Sequence, residues 1–534
     1  MSTASHPVSK TVGRRGTALV LCLAATVAGC AGPLRDVPRP PSQAWPHPEA
    51  TELGRALDEQ LAGHKGESGF FLLDSGLDAL SMRAGLAEYA QRTLDLQYYA
   101  LHQDVTTDLL LYRVLRAADR GVRVRLLVDD LYAADRDVDL ATLSAHPNIQ
   151  VRVFNPFLSR GGFGLARLFE FFGDPVRLNR RMHNKLWIAD NAAAIVGGRN
   201  LGDEYFDAGS EFDFSDLDIL AGGPVVRDIS RSFDEYWNSK WAVPVEAYVA
   251  APPGPERLAD LERNLRARLE RFRDGAYAKA LRETRLGPQL LAGALPLAPA
   301  FASALYDPPL KVAGAATAGF VSPIFSERLR SIVESARQEV ILVSPYFIPS
   351  ERGIGILSAL ARRGVRVRIL TNSLASTDVS LVHAGYARIR VRLLAAGVEL
   401  YEMRPDGRPH GASRWRPGAS SSASLHAKAI VVDRREVLIG SMNLDPRSRE
   451  ENTEVAVLLQ SGTLGSRIAA MFDEAVRPEN TFHVVLAGAG PDRTELNWIT
   501  EENGKEVRYD REPAGLWRRF LSRLLGSFAP QELL

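Results

Sequence analysis

Three short segments of this chain occur twice at a single spacing. Arg120-Gly121-Val122-Arg123-Val124-Arg125 returns as Arg363-Gly364-Val365-Arg366-Val367-Arg368, 243 positions later. His183-Asn184-Lys185 followed by Asp190 returns as His426-Ala427-Lys428 followed by Asp433, and Gly197-Gly198-Arg199-Asn200 as Gly440-Ser441-Met442-Asn443, both again 243 later. Three matches at one offset identify two copies of one unit, so the fold is a pair of similar halves.

Within each copy the periodicity alternates between strand and helix. Leu94 to Tyr99 and Val340 to Val343 read as strands, each followed by a helical stretch ending near Asp119 or Arg362. In both arginine-rich segments glycine stops the helix, and valines then alternate with arginines as in a strand. Helices between strands require crossover connections, hence an α/β fold with a parallel or mixed sheet. The alternating arginines read as edge-strand or solvent-facing charges. Residues 241–318 have no counterpart at the offset and read as a connector with a helix around Glu256 to Glu283.

The amino terminus reads as an address. Lys10, Arg14 and Arg15 precede an apolar run from Thr17 to Gly29, which has the length of a signal-peptide core rather than the ~20 residues of a membrane span. The run ends Val27-Ala28-Gly29-Cys30, which resembles the lipobox of bacterial lipoproteins. That resemblance implies cleavage before Cys30 and lipidation of its thiol; Ala31, not being aspartate, implies the outer membrane. Prolines from Pro33 to Pro48 suggest an extended tether over 30–68. Cys22 and Cys30 are the two cysteines, so the folded body has neither a disulfide framework nor a thiolate metal cluster. Sixty-five basic residues face sixty-four acidic ones; a signal-free chain would lose three of the former. Such a balance disfavours nucleic acid as a partner.

The chemistry lies in the second and third repeated segments. Two residues apart in a strand, His183 and Lys185 face one side, as do His426 and Lys428. Asn200 and Asn443 follow glycine-bearing turns that can return an amide to the same end. Two imidazoles, two ammonium groups and two amides suit a phosphodiester. The cations and amides take the nonbridging oxygens, one histidine attacks phosphorus, and the other protonates the departing oxygen. With two lysines present the site needs neither metal nor cofactor. Asp190 and Asp433, an odd number of steps from the histidines, face away and read as holding the turn that presents the asparagine.

The pattern His-x-Lys-x4-Asp-x6-Gly-(Gly/Ser)-x-Asn resembles the signature of the phospholipase D superfamily, with Gly198-Arg199 departing from the usual Gly-Ser in copy one. Leu94-Asp-Leu-Gln-Tyr-Tyr99, Gly197 to Phe206, Thr371-Asn-Ser-Leu374 and Gly440 to Arg447 narrow the resemblance to the bacterial cardiolipin synthase C branch. It implies two tandem phospholipase D-type α/β domains, 69–240 and 319–485, each a mixed sheet flanked by helices, forming a pseudo-twofold bilobal body. They would follow a signal over 1–29 and precede a tail over 486–534. It also implies His183 as nucleophile, through a phosphatidyl-histidine, and His426 as acid and then base. Phosphatidylglycerol would be the acceptor, with phosphatidylethanolamine or a second phosphatidylglycerol as donor. A hydrolytic phospholipase D, a nuclease-type phosphodiesterase and an inactive tethering lipoprotein are the competing readings.

A histidine nucleophile needs an acid partner. In copy two Glu454, before Val455-Ala456-Val457, fits the family's downstream acid. For His183, copy one offers Glu211 by strict offset or Asp218 by strand pattern, and the pattern favours Asp218. Ser441 is expected at the substrate. His383 and Tyr386 read either as lining a head-group pocket or as core. Leu516, Trp517, Phe520, Leu521, Leu524, Leu525 and Phe528 recur at helical spacing beside Arg518, Arg519 and Arg523. They form either a membrane-interfacial helix or one docked on the body. The aromatic stretch Phe154 to Phe172 carries the same two alternatives, lipid-facing rim or core.

Overall fold

The computed structural model describes residues 35–528 except 134–135, 159–164, 210–211, 250, 314–322, 408–421 and 488–494. Cys30 and the expected signal over 1–29 lie outside the described residues. Two sheets of matching order form the body. The first runs Ala242–Pro244, Ile149–Phe154, Arg123–Asp129, Thr93–Tyr98, Leu186–Ala189, Ala193–Gly197, Asp218–Gly222, Ser68–Leu73. The second runs Thr481–Leu486, Glu399–Met403, Arg366–Asn372, Glu339–Val343, Ala429–Val432, Glu436–Gly440, Val455–Gln460, Ala298–Tyr306. Three parallel strands in each come from helix crossovers, and the other strands join antiparallel, mostly between segments distant in the chain, so both sheets are mixed.

The connector is more than helical. After helices Pro255–Phe272, Ala276–Glu283 and Leu286–Leu291 it ends in the strand Ala298–Tyr306. Ala298–Ala300 pair with the first sheet and Phe301–Tyr306 with the second, so one strand joins the two. The proline-rich stretch also departs from expectation. From Arg35 onward it is bonded to the body: the Ser42 and Ala44 N–H groups donate to Asn238 and Asp234, and Arg125 donates to the Ser42 carbonyl. A helix, Glu52–Gln60, then follows.

Strand alternation divides the apolar residues into two layers. Leu186 and Ile188, with Ala429 and Val431, enter a core shared by the halves and completed by helices Pro224–Trp237 and Gly462–Ala475. Trp187 and Ala189 face the outer core of the first half, and Ile430 and Val432 that of the second. Each buried large aliphatic or aromatic side chain contributes about 1.5–3 kcal/mol, so the shared layer holds the halves in one arrangement. Arg125 and Arg368 are buried rather than solvent-facing. Arg125 pairs with Asp95 at 2.7 Å beneath Phe233, and Arg368 with Glu339 at 2.7 Å beneath Phe472. Phe154 is core, whereas Leu168 and Phe172, on the helix Leu165–Gly173, are exposed.

Candidate active site

Two parallel pairings between the halves build the site. The His183 N–H donates to Thr453 O, and the Thr453 N–H to Arg181 O, both at 2.9 Å. Ser422–Leu425 pairs with Phe212–Ser215, and the His426 N–H donates to Ser215 O at 2.8 Å. Each histidine therefore emerges beside the acid that follows in the opposite half. His183 Nδ1 lies 2.9 Å from Glu454 Oε2, and His426 Nδ1 lies 2.6 Å from Asp216 Oδ2. An Nδ1–H donated to a carboxylate leaves Nε2 for the reacting atom, a tautomer assigned from the bonding pattern.

Asp216, not Asp218, is thus the acid of the first half, and it serves His426 rather than His183. Glu454 serves His183. Asp218 is fully buried and binds Arg83 at 2.8 Å; Glu211 lies outside the described residues. The reason is a length difference. Asn200 to Asp216 spans five residues more than Asn443 to Glu454. Beyond that loop the correspondence becomes 238, as the sheet shows: Gly197 pairs with Asp218 where Gly440 pairs with Ala456. A signal was present in the sequence, since Asp216-Leu217-Asp218-Ile219 aligns on Glu454-Val455-Ala456-Val457 once a five-residue insertion is allowed.

Both acids are held in place. Glu454 accepts from Ser441 Oγ at 2.5 Å and Ser448 Oγ at 2.7 Å, and its own N–H donates to Asp307 at 3.1 Å. Ser441 therefore positions Glu454 instead of lining the substrate space. Its counterpart Gly198 explains the departure in copy one: a Cβ there would stand 2.2 Å from Asp216 Oδ1. Ser448 and Asp307 carry no motif and were not legible as supports.

Lys185 Nζ donates to the His183 carbonyl at 2.6 Å, and Lys428 Nζ lies 2.9 Å from His426 Nδ1. With that nitrogen protonated toward Asp216, Lys428 acts there as a nearby cation rather than a donor. Asn200 is tied to Tyr205 Oη at 3.0 Å, while Asn443 Oδ1 is buried with no protein partner. Tyr99 and Tyr205 set their edges against His183 and His426, with ring centroids at 5.0 and 5.3 Å.

Electrostatics separates the two rings. Burial, reinforced by Lys185, Lys428 and His426, drives the His183 pKa well below its usual value. Burial and Lys428 lower His426 as well, opposed by Asp216. Burial raises Glu454 to about 7. For Asp216 burial acts in the same direction, but His426 and Lys428 outweigh it and hold the carboxyl below its usual range. Burial also lowers Lys185 strongly, and Lys428 to about 8.

Asp190 and Asp433 are not at this site. Asp190 accepts the N–H groups of Gln91, Arg92 and Thr93, and Asp433 those of Arg337, Gln338 and Glu339. They anchor the entry to strands Thr93–Tyr98 and Glu339–Val343 rather than the asparagine turn. His383 is buried against Glu512 at 2.6 Å, and Tyr386 packs on it and on Phe347, so neither lines a head-group pocket. Arg518 ties the helix Leu516–Phe528 to the carbonyls of Leu374, Ala375 and Thr377, leaving Leu516, Trp517, Phe520 and Leu524 exposed. Among the described residues no helix is long and apolar enough to cross a membrane.

Two mixed α/β halves of matching strand order, each presenting its His-x-Lys motif to an acid of the other, define a phospholipase D-type protein. The family model described as "Cardiolipin synthase, PLD-like domain" matches residues 86–237 and 329–476. Cardiolipin synthase C of Escherichia coli K12 is 40% identical over 488 residues, covering 90% of this chain and 99% of the relative. Cardiolipin synthase A of Pseudomonas putida W619 is 25% identical over 74% of this chain and 67% of its own length. The crystal structure of Haemophilus influenzae phosphatidylserine synthase shares the fold, with a TM-score of 0.54 at 13% identity over 90% of this chain and 100% of its own. The chain belongs to the cardiolipin synthase branch of the phospholipase D superfamily.

Proposed function

We propose that this enzyme is a phosphatidyltransferase that forms cardiolipin from phosphatidylglycerol and a second phospholipid. The observation that carries the reading is the crossed pairing of two imidazoles with two buried acids around one space. His183, kept neutral by burial and neighbouring cations, attacks the donor phosphorus through Nε2. As the N–P bond forms, the P–O bond to the head-group alcohol breaks, and His426 Nε2–H gives that oxygen its proton. His426, now neutral, takes the hydroxyl proton of an acceptor phosphatidylglycerol, whose oxygen displaces His183 from phosphorus. Lys185, Lys428 and Asn443 balance charge on the nonbridging oxygens. Glu454 and Asp216 stabilise each imidazolium as it forms.

The exposed apolar edge of Leu516–Phe528 supports contact with a bilayer surface. The Cys30 sequence supports anchoring as a lipoprotein on the periplasmic side, at the outer membrane. Purified protein incubated with labelled phosphatidylglycerol, with and without phosphatidylethanolamine, tests the reading. Cardiolipin is the expected product and chelator leaves its formation intact. Phosphatidic acid as the sole product would replace transfer with hydrolysis.

A further inference from the structure

A cavity of about 370 Å³ opens in the second half, between its sheet and the helices that cover it. Leu342, Ile430, Met442 and Leu444 form its floor, and Val333 and Leu357, from helices Pro323–Glu334 and Glu351–Arg362, its walls. The repeat differs at two of the lining positions. Where the second half has Ile430 and Met442, the first has Trp187 and Arg199. Both are fully buried, and Arg199 is pinned to the carbonyls of Leu73 and Asp216. At the two matching positions one copy carries a buried indole and guanidinium, the other an isoleucine and a methionine that line a cavity.

The open space adjoins the catalytic motif. Met442 and Leu444 flank Asn443, and Ile430 lies two residues beyond Lys428 on the same sheet face. Neither Lys428 nor Asn443 lines the space itself, but a phosphate held by the Lys428 ammonium and the Asn443 Nδ2–H would lie next in the chain to residues that do. Arginines also outnumber acids in the charged lining, with Arg330, Arg352 and Arg449 against Glu327 and Asp445. The volume falls within the range of about 300–1,000 Å³ usual for ligand pockets.

We propose that this cavity takes up part of one acyl chain of the phospholipid whose phosphate sits between the two histidines. The inference rests on the lipid-transfer reading above and adds a binding site to it. Each methylene withdrawn from water there strengthens binding about fourfold, so the site selects for chain length.

Phosphatidylglycerol bearing a diazirine in mid-chain tests this with the full-length protein. Photolysis is expected to label peptides from Pro323–Glu334 or Glu351–Arg362, and Leu357→Trp to abolish that label. Label confined to other segments, such as Leu516–Phe528, overturns the proposal. In parallel, Leu357→Trp and the milder Leu357→Phe are expected to raise the ratio of KM for dioleoyl over dihexanoyl phosphatidylglycerol by about tenfold. An unchanged ratio in a folded variant means that the chain lies elsewhere or that a segment of the protein fills the cavity. Cavity labelling without cardiolipin formation would overturn the transferase reading alone; cardiolipin formation without such labelling would overturn the acyl-chain site alone.

Discussion

The two half-sites share a motif but not an environment. Around His183 the acid is a glutamate, fastened by two serine hydroxyls and raised by burial to about 7. Around His426 it is the shorter Asp216, drawn to 2.6 Å and held ionised by His426 and Lys428 against the effect of burial. A side chain one methylene shorter, admitted by Gly198 where the other copy has Ser441, makes the difference. Duplication supplies two equivalent imidazoles; burial depresses both, His183 further, so His183 is the better neutral attacker and His426, facing an ionised aspartate, the better proton carrier of the two.

The strongest test of this division is to remove the rings singly. His183→Asn should lower turnover about 10⁴-fold or more and yield no lipid–protein adduct. His426→Asn should also stall turnover, yet still form an adduct on His183 from a donor with a 4-nitrophenol leaving group, which needs no protonation. An adduct mapped to His426 by mass spectrometry would reverse the assignment.

The acids come next. Asp216→Asn and Glu454→Gln should each cost about 10²–10⁴-fold in kcat with a phospholipid donor. The 4-nitrophenyl donor should restore the initial burst to Asp216→Asn and not to Glu454→Gln. Equal rescue of both would erase the distinction.

Asp218 separates structure from chemistry within the same strand. Asp218→Asn leaves Arg83 buried without its ion-pair partner and should destabilise the fold by about 3–5 kcal/mol, read by urea unfolding. The folded fraction should retain its kcat.

The pH profile gives the smallest and most graded test. Glu454 must be ionised to support the His183 cation, so activity should rise with pH toward about 7. Lys428 must stay protonated, so activity should fall above about 8. The acid limb thus belongs to one half-site and the alkaline limb to the other. Lys428→Arg should remove the alkaline limb alone, because guanidinium keeps its proton. Stability follows the raised glutamate. Its folded pKa exceeds its unfolded one, so its contribution is complete at low pH and is lost as pH rises through about 7.

Much of this architecture was legible from the chain alone. Repetition at one offset announces two halves, the alternation of strands and helices gives a mixed α/β sheet, and the period of two puts each lysine on its histidine's face. These are local facts, set by backbone geometry and side-chain spacing. The odd spacing of Asp190 and Asp433 showed that they turn away from the histidines, although it did not show which backbone they hold.

Whatever depends on one half meeting the other was decided only by the tertiary structure. Glu454 reaches His183 and Asp216 reaches His426 because parallel pairing at the centre crosses the halves, and a five-residue loop difference hides the correspondence from a fixed offset. The burial of Arg125 and Arg368, the strand that joins both sheets and the cavity lined by Ile430 belong to the same class. Sequence spacing records distance along the chain, whereas pKa, ion pairing and cavities depend on distance through space and on the loss of water that packing imposes.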